Sequence, residues 1–95
     1  MKKYEAMFIL RPDLPEDEKN ALFSQIKEEV TKNNGSVTQA AVWEERRKLY
    51  FPIKKFQEGV YYLMNFDIAP SEIVKIRHAY KLNEGILRVL VSAIN

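Results

Sequence analysis

Apolar positions along the chain fall into six blocks that switch between two spacings. Tyr4 to Leu10 is nearly all apolar, which predicts a central strand covered on both faces. Arg11-Pro12-Asp13-Leu14-Pro15 breaks it with two prolines. Glu16-Asp17-Glu18 then places three carboxylates where the first turn of a helix favours negative charge. Leu22, Phe23, Ile26 and Val30 recur at helical spacing through about Thr31. Asn33-Asn34-Gly35 closes that helix with residues that tolerate a left-handed backbone. Val37 to Trp43 reads as a second strand and Val60 to Ile68 as a third. Alternation in the third sets Val60, Tyr62, Met64 and Phe66 on one face and Tyr61, Leu63, Asn65 and Asp67 on the other. Between these strands runs a basic stretch, Arg46 to Lys55, interrupted by Pro52. Proline cannot donate to a central ladder, so this stretch is expected as an edge or projecting hairpin, an arm at about 44–56. Ala69-Pro70-Ser71-Glu72 opens a second helix, with Pro near the start where a missing N–H costs little. Ile73, Ile76 and Tyr80 form its buried stripe, and Asn83-Glu84-Gly85 ends it. Ile86 to Ile94 is the last strand, with Leu87, Val89 and Val91 expected on one face and Ile86, Arg88 and Leu90 on the other.

The order strand, helix, strand, strand, helix, strand is the split βαβ arrangement, a ferredoxin-like α+β fold (βαββαβ). It takes the whole chain, residues 1–95, as one domain. Two right-handed crossovers put both helices on one face of a four-stranded antiparallel sheet, with the first and third strands in the centre. The other face is left open. Its expected residues are Met7, Ile9, Tyr61, Leu63, Ile86 and Leu90, with Arg88 among them. A monomer seldom leaves so much contiguous apolar surface bare, so this set is expected to face a partner.

Composition narrows the chemistry. Hydrophobic residues are 46% and charged residues 29% of 95, which excludes collagen, low-complexity disorder and a coiled-coil rod. There is no Cys, so disulfide scaffolds, zinc ribbons, iron–sulfur clusters and thiol nucleophiles are excluded. The chain starts at Met1, and the apolar run behind Lys2-Lys3 is too short for a signal peptide. No segment approaches the roughly 18 apolar residues of a membrane span. A soluble, reducing compartment is expected. Net charge is only +2, but it is unevenly spread. Glu44 to Lys55 holds five basic and two acidic residues, whereas Arg11 to Asn20 holds two basic and four acidic.

The same topology hosts acylphosphatases. That reaction needs a cradle of backbone N–H groups after the first strand. Here Arg11 is present, but two prolines remove donors and no Gly lets the backbone wrap an anion. His78 lacks an orienting carboxylate and a nucleophile and is read as a solvent-side residue. Glu44 and Glu45, adjacent on a strand, point to opposite faces and suit pairing with Arg46 to Lys48. A small-molecule regulatory or dimerisation module would want a Gly-bearing loop after the first strand, which is missing. No cofactor, metal or small-molecule substrate is expected. The arm itself, Arg46-Arg47-Lys48-Leu49-Tyr50-Phe51-Pro52-Ile53-Lys54-Lys55, interleaves cations with aromatics. That pattern suits RNA phosphates and bases, and it also suits an edge blunted against aggregation.

Several segments resemble one family in order. Lys2-Lys3-Tyr4-Glu5-Ala6, Trp43 with the arm to Lys55, Gly59 to Phe66 with Ala69-Pro70, and Asn83-Glu84-Gly85-Ile86-Leu87-Arg88 are similar to bacterial small-subunit ribosomal protein six. The resemblance covers about residues 1–93. The chain departs from the family pattern at Glu44, where Gly is usual after Trp, and at Tyr50-Phe51, where Ala-Tyr is usual. The Trp-to-Pro interval is one residue longer. Many members continue into a charged tail, whereas this chain ends at Asn95. The resemblance implies a structural, non-enzymatic constituent of the cytoplasmic ribosome. It implies binding to small-subunit rRNA in the central domain together with the eighteenth small-subunit protein. The RNA-facing residues expected are Lys2, Lys3, Tyr4, Arg46, Arg47, Lys48, Tyr50, Lys54, Lys55 and Arg88.

Overall fold

The computed structural model describes residues 1–94. Its elements are β1 (Lys2–Leu10), α1 (Glu16–Thr31), β2 (Ser36–Ile53), β3 (Phe56–Ile68), a single 3-10 turn (Pro70–Glu72), α2 (Ile73–Leu82) and β4 (Ile86–Ala93). The sheet order is β2-β3-β1-β4 with every neighbouring pair antiparallel. This is the ferredoxin-like arrangement expected, with the first and third strands inside.

One face of the sheet carries both helices. Tyr4, Ala6, Phe8 and Leu10 alternate along β1 and meet Leu22, Ile26 and Val30 of α1 and Ile76 and Tyr80 of α2. Each fully buried large side chain here contributes about 1.5–3 kcal/mol over its exposed state. The phenol of Tyr80 donates to the carbonyl of Ile26 at 2.6 Å, tying the two helices together. Burial, then the charge of Glu29 and the neighbouring Tyr62, push that phenol well above its ordinary pKa.

The helix ends follow their local sequences. α1 has no side-chain cap at Pro15, and Glu16, Asp17 and Glu18 complement its first turn instead. At its other end Asn34 takes φ 65°, and the N–H of Gly35 donates to Val30 at 2.9 Å. A Cβ on Gly35 would stand 2.6 Å from the Val30 side chain, so only glycine lets the chain pass.

Two departures come from register. β2 is one continuous strand through Ile53, broken by four register shifts, two of them beyond Glu44, the expected start of the arm. In β4, Ile9 pairs with Arg88 but Leu10 pairs with Ile86. Leu87 is therefore an extra residue, a β-bulge that inverts the facing of everything before it. Ile86 lies in the helix-side core, 3% exposed, and is not partner-facing; Leu87 takes the open side against Ile9 and Leu49.

Candidate nucleic-acid interface

The β2–β3 hairpin builds the site. Its turn is Lys54-Lys55, both left-handed at φ 47° and 72°, between the paired residues Ile53 and Phe56. A two-residue turn with both φ positive matches the right-handed twist of the flanking strands. Lys54 and Lys55 thereby stand at the tip, both exposed.

Ladder pairing arranges the open face in rows. Arg88, Ile9, Tyr61 and Glu44 form one row, and Leu90, Met7, Leu63 and Ala41 the next. A third row, Ser92, Glu5, Asn65 and Gln39, is polar. The apolar rows thus lie toward the arm. Ile9 is shielded by Leu49 and Leu87; Met7, Tyr61 and Leu63 are half-buried, and Leu90 is 65% exposed. Among the described residues no helix covers this face.

The cations of the arm divide into two kinds. Arg46 pairs with Glu58 at 3.0 Å and Arg47 with Glu44 at 3.6 Å. Arg47 also lies over the rings of Tyr61 and Trp43, 5.3 and 6.0 Å from their centres. Among the described residues Lys48, Lys54, Lys55 and Arg88 make no ion pair. Exposed pairs of this sort are worth about 0–1 kcal/mol, so a phosphate can replace Glu58 or Glu44 at little cost. Glu45 turns the other way, to Lys19 of α1 at 3.2 Å, a hydrogen bond that holds the Lys19 ammonium above its ordinary pKa.

Three expected site residues sit elsewhere. Tyr4 is 7% exposed and stacked on Phe66, its ladder partner, at 5.7 Å; it is core and presents no ring to RNA. Lys2 and Lys3 are exposed, but they pair with Ile68 and Asp67 at the far end of β1. At ~3.4 Å per residue that is roughly 25 Å from the base of the arm. They form no single basic end with it. Phe51, 74% exposed beside Tyr50, was absent from the expected set although it stands in the same run of cations and aromatics.

Arg11, the one cation near a conceivable anion cradle, is occupied. It donates to both carboxylate oxygens of Asp13 at 3.1 and 3.0 Å and lies over the ring of Phe56. Those bonds hold the Asp13 carboxyl below its ordinary pKa. His78 is exposed on α2.

Comparison with known proteins gives the family and the fold. The sequence profile described as ribosomal protein S6 matches residues 3–92. The chain is 37% identical over 91 residues to small ribosomal subunit protein bS6 of Caldanaerobacter subterraneus subsp. tengcongensis, covering 96% of this chain and 95% of that one. It is 41% identical to the bS6 of Helicobacter acinonychis, covering 96% of this chain but 63% of that longer one. The crystal structure of 30S ribosomal protein S6 from Thermotoga maritima superposes with a TM-score of 0.89 at 26% identity, over 98% of this chain and 87% of the other. Sequence over nearly the full length and fold point the same way: this chain belongs to the ribosomal protein S6 family.

Proposed function

We propose that this protein binds small-subunit rRNA through the β2–β3 arm while its open sheet face docks the eighteenth small-subunit protein. Proteins of this family are structural constituents of the cytoplasmic ribosome and not enzymes. The observation that carries the reading is the hairpin tip. Lys48, Lys54 and Lys55 project unpaired beside Arg46 and Arg47, whose carboxylate partners are weak and exchangeable. Next to them lies an uncovered apolar face centred on Met7, Leu63 and Leu90. The RNA is read at a folded junction by shape and phosphate position, because A-form helices hide their base edges. With a net charge of +2, long-range attraction is small, and acidic residues 11–20 oppose it. A protein partner that adds phosphate contacts and holds the arm makes binding cooperative.

Filter binding of an rRNA central-domain fragment across a salt series, with and without the partner, tests this. Three to five phosphate contacts correspond to a log–log slope of about −3 to −4. Arg46→Ala with Arg47→Ala should reduce the slope by about 1–2 and weaken the ternary complex while the fold persists. Equal affinity of the double variant at every salt concentration would mean that the arm is only a protected edge.

A further inference from the structure

The arm also carries a feature that phosphate attraction leaves unexplained. From the pair Lys48–Glu58 to the pair Ile53–Phe56, β2 advances five residues while β3 advances two. Three residues of β2 are surplus there, and the strand must bulge. Leu49 turns inward onto Ile9 and Leu87. Tyr50 and Phe51 are thrown outward, 94% and 74% exposed, with ring centres 5.2 Å apart. Protecting an edge calls for Lys and Pro; Lys48, Pro52, Lys54 and Lys55 already provide them. Two bare rings at the same spot work against that protection.

Beside Tyr50 lies a groove of about 330 Å³ lined by Arg47, Lys48, Leu49, Tyr50 and Tyr61. That is near the lower end of small-molecule sites, roughly 300–1,000 Å³, and suits one nucleoside rather than a duplex. Its lining joins flat aromatic and aliphatic surface to two cations. An apolar peptide side chain would use only the first, and a bare phosphate only the second. A nucleotide uses both. We infer that this groove takes one unstacked nucleobase of the bound RNA, with Tyr50 as its stacking surface and Lys48 beside its phosphate. The inference deepens the RNA-binding reading above and rests on it: the arm then clamps a flipped-out nucleotide in addition to tracking phosphates.

The test uses the full chain with its protein partner and the rRNA central-domain fragment as a strand carrying 2-aminopurine at one unpaired position, and the same strand with an abasic site in its place. Stacking is worth ~1–3 kcal/mol per base. Wild type should change the 2-aminopurine fluorescence and bind the abasic strand at least fivefold more weakly. Tyr50→Ala should lose at least fivefold in affinity with an unchanged salt slope, and should bind the two strands equally. Tyr50→Phe, which keeps a ring, should restore the preference. Tyr50 is nearly bare, so these variants fold, and a thermal melt checks it. Tyr50→Ala binding both strands as wild type does would overturn the inference. So would a loss confined to anionic vesicles or to the protein partner. Failure of the arm as a whole is distinguishable, because Arg46→Ala with Arg47→Ala would then leave rRNA binding unchanged as well.

Discussion

The turn at Lys54-Lys55 allows the conformational cost of the arm to be measured. Both residues are left-handed, φ 47° and 72°, in a turn where Asn-Gly is the favoured pair. For a residue with a Cβ that conformation costs roughly 1–2 kcal/mol each, or about 2–4 kcal/mol for the two. Lys54→Asn with Lys55→Gly should relieve most of the second and part of the first, about 2 kcal/mol. The extra freedom of glycine in the unfolded chain offsets about 0.5–1 kcal/mol of this. A net gain of about 1 kcal/mol remains, which raises the melting temperature by about 4–8 °C in a domain of this size. Urea unfolding and a thermal melt read the gain directly. The same variant removes two unpaired cations from the tip, so its salt slope for rRNA should fall by about 1–2. A variant that is less stable than wild type would refute the strained turn. One that is more stable yet keeps the full slope would show that the tip lysines do not reach phosphates.

Other outcomes follow from single contacts. Leu63→Glu, on the open face between Met7 and Ala41, should change stability by less than about 1 kcal/mol; by calorimetry it should weaken the protein partner by at least about 1 kcal/mol. A loss of several kcal/mol in folding with binding intact would mean Leu63 is core. Gly59→Ala would set a Cβ 2.5 Å from the Ile9 side chain and should cost about 1–3 kcal/mol in denaturant unfolding. Tyr80→Phe should cost about 1 kcal/mol near neutral pH through the lost bond to Ile26. Because the folded phenol is raised, its contribution is complete below the unfolded value near pH 10 and declines as pH rises above it. The gap between wild type and Tyr80→Phe should therefore narrow in alkaline unfolding; a constant gap would show that Tyr80 ionises equally in both states.

Local signals in the chain determined the elements and much of their use. Alternation in Val60 to Phe66 placed Tyr62, Met64 and Phe66 in the core, and Asn33-Asn34-Gly35 specified where α1 stops; both depend only on neighbours in sequence. The concentration of cations and aromatics in 46–55 was equally visible. Cross-strand register was not, because it depends on residues far apart in the chain. One extra residue at Leu87 exchanged the facings of Ile86 and Leu87. Tyr4 is a different case: β1 is regular there, and alternation with Ala6, Phe8 and Leu10 already set it on the helix side, away from RNA. The antiparallel course of β1 carried Lys2 and Lys3 to the end of the sheet away from the arm. Only the folded hairpin brought Glu58 to Arg46 and bulged Tyr50 and Phe51 into solvent. Sequence periodicity reports which side a residue takes while the ladder is regular; each bulge resets that count, and the energies that decide where bulges form belong to the tertiary packing.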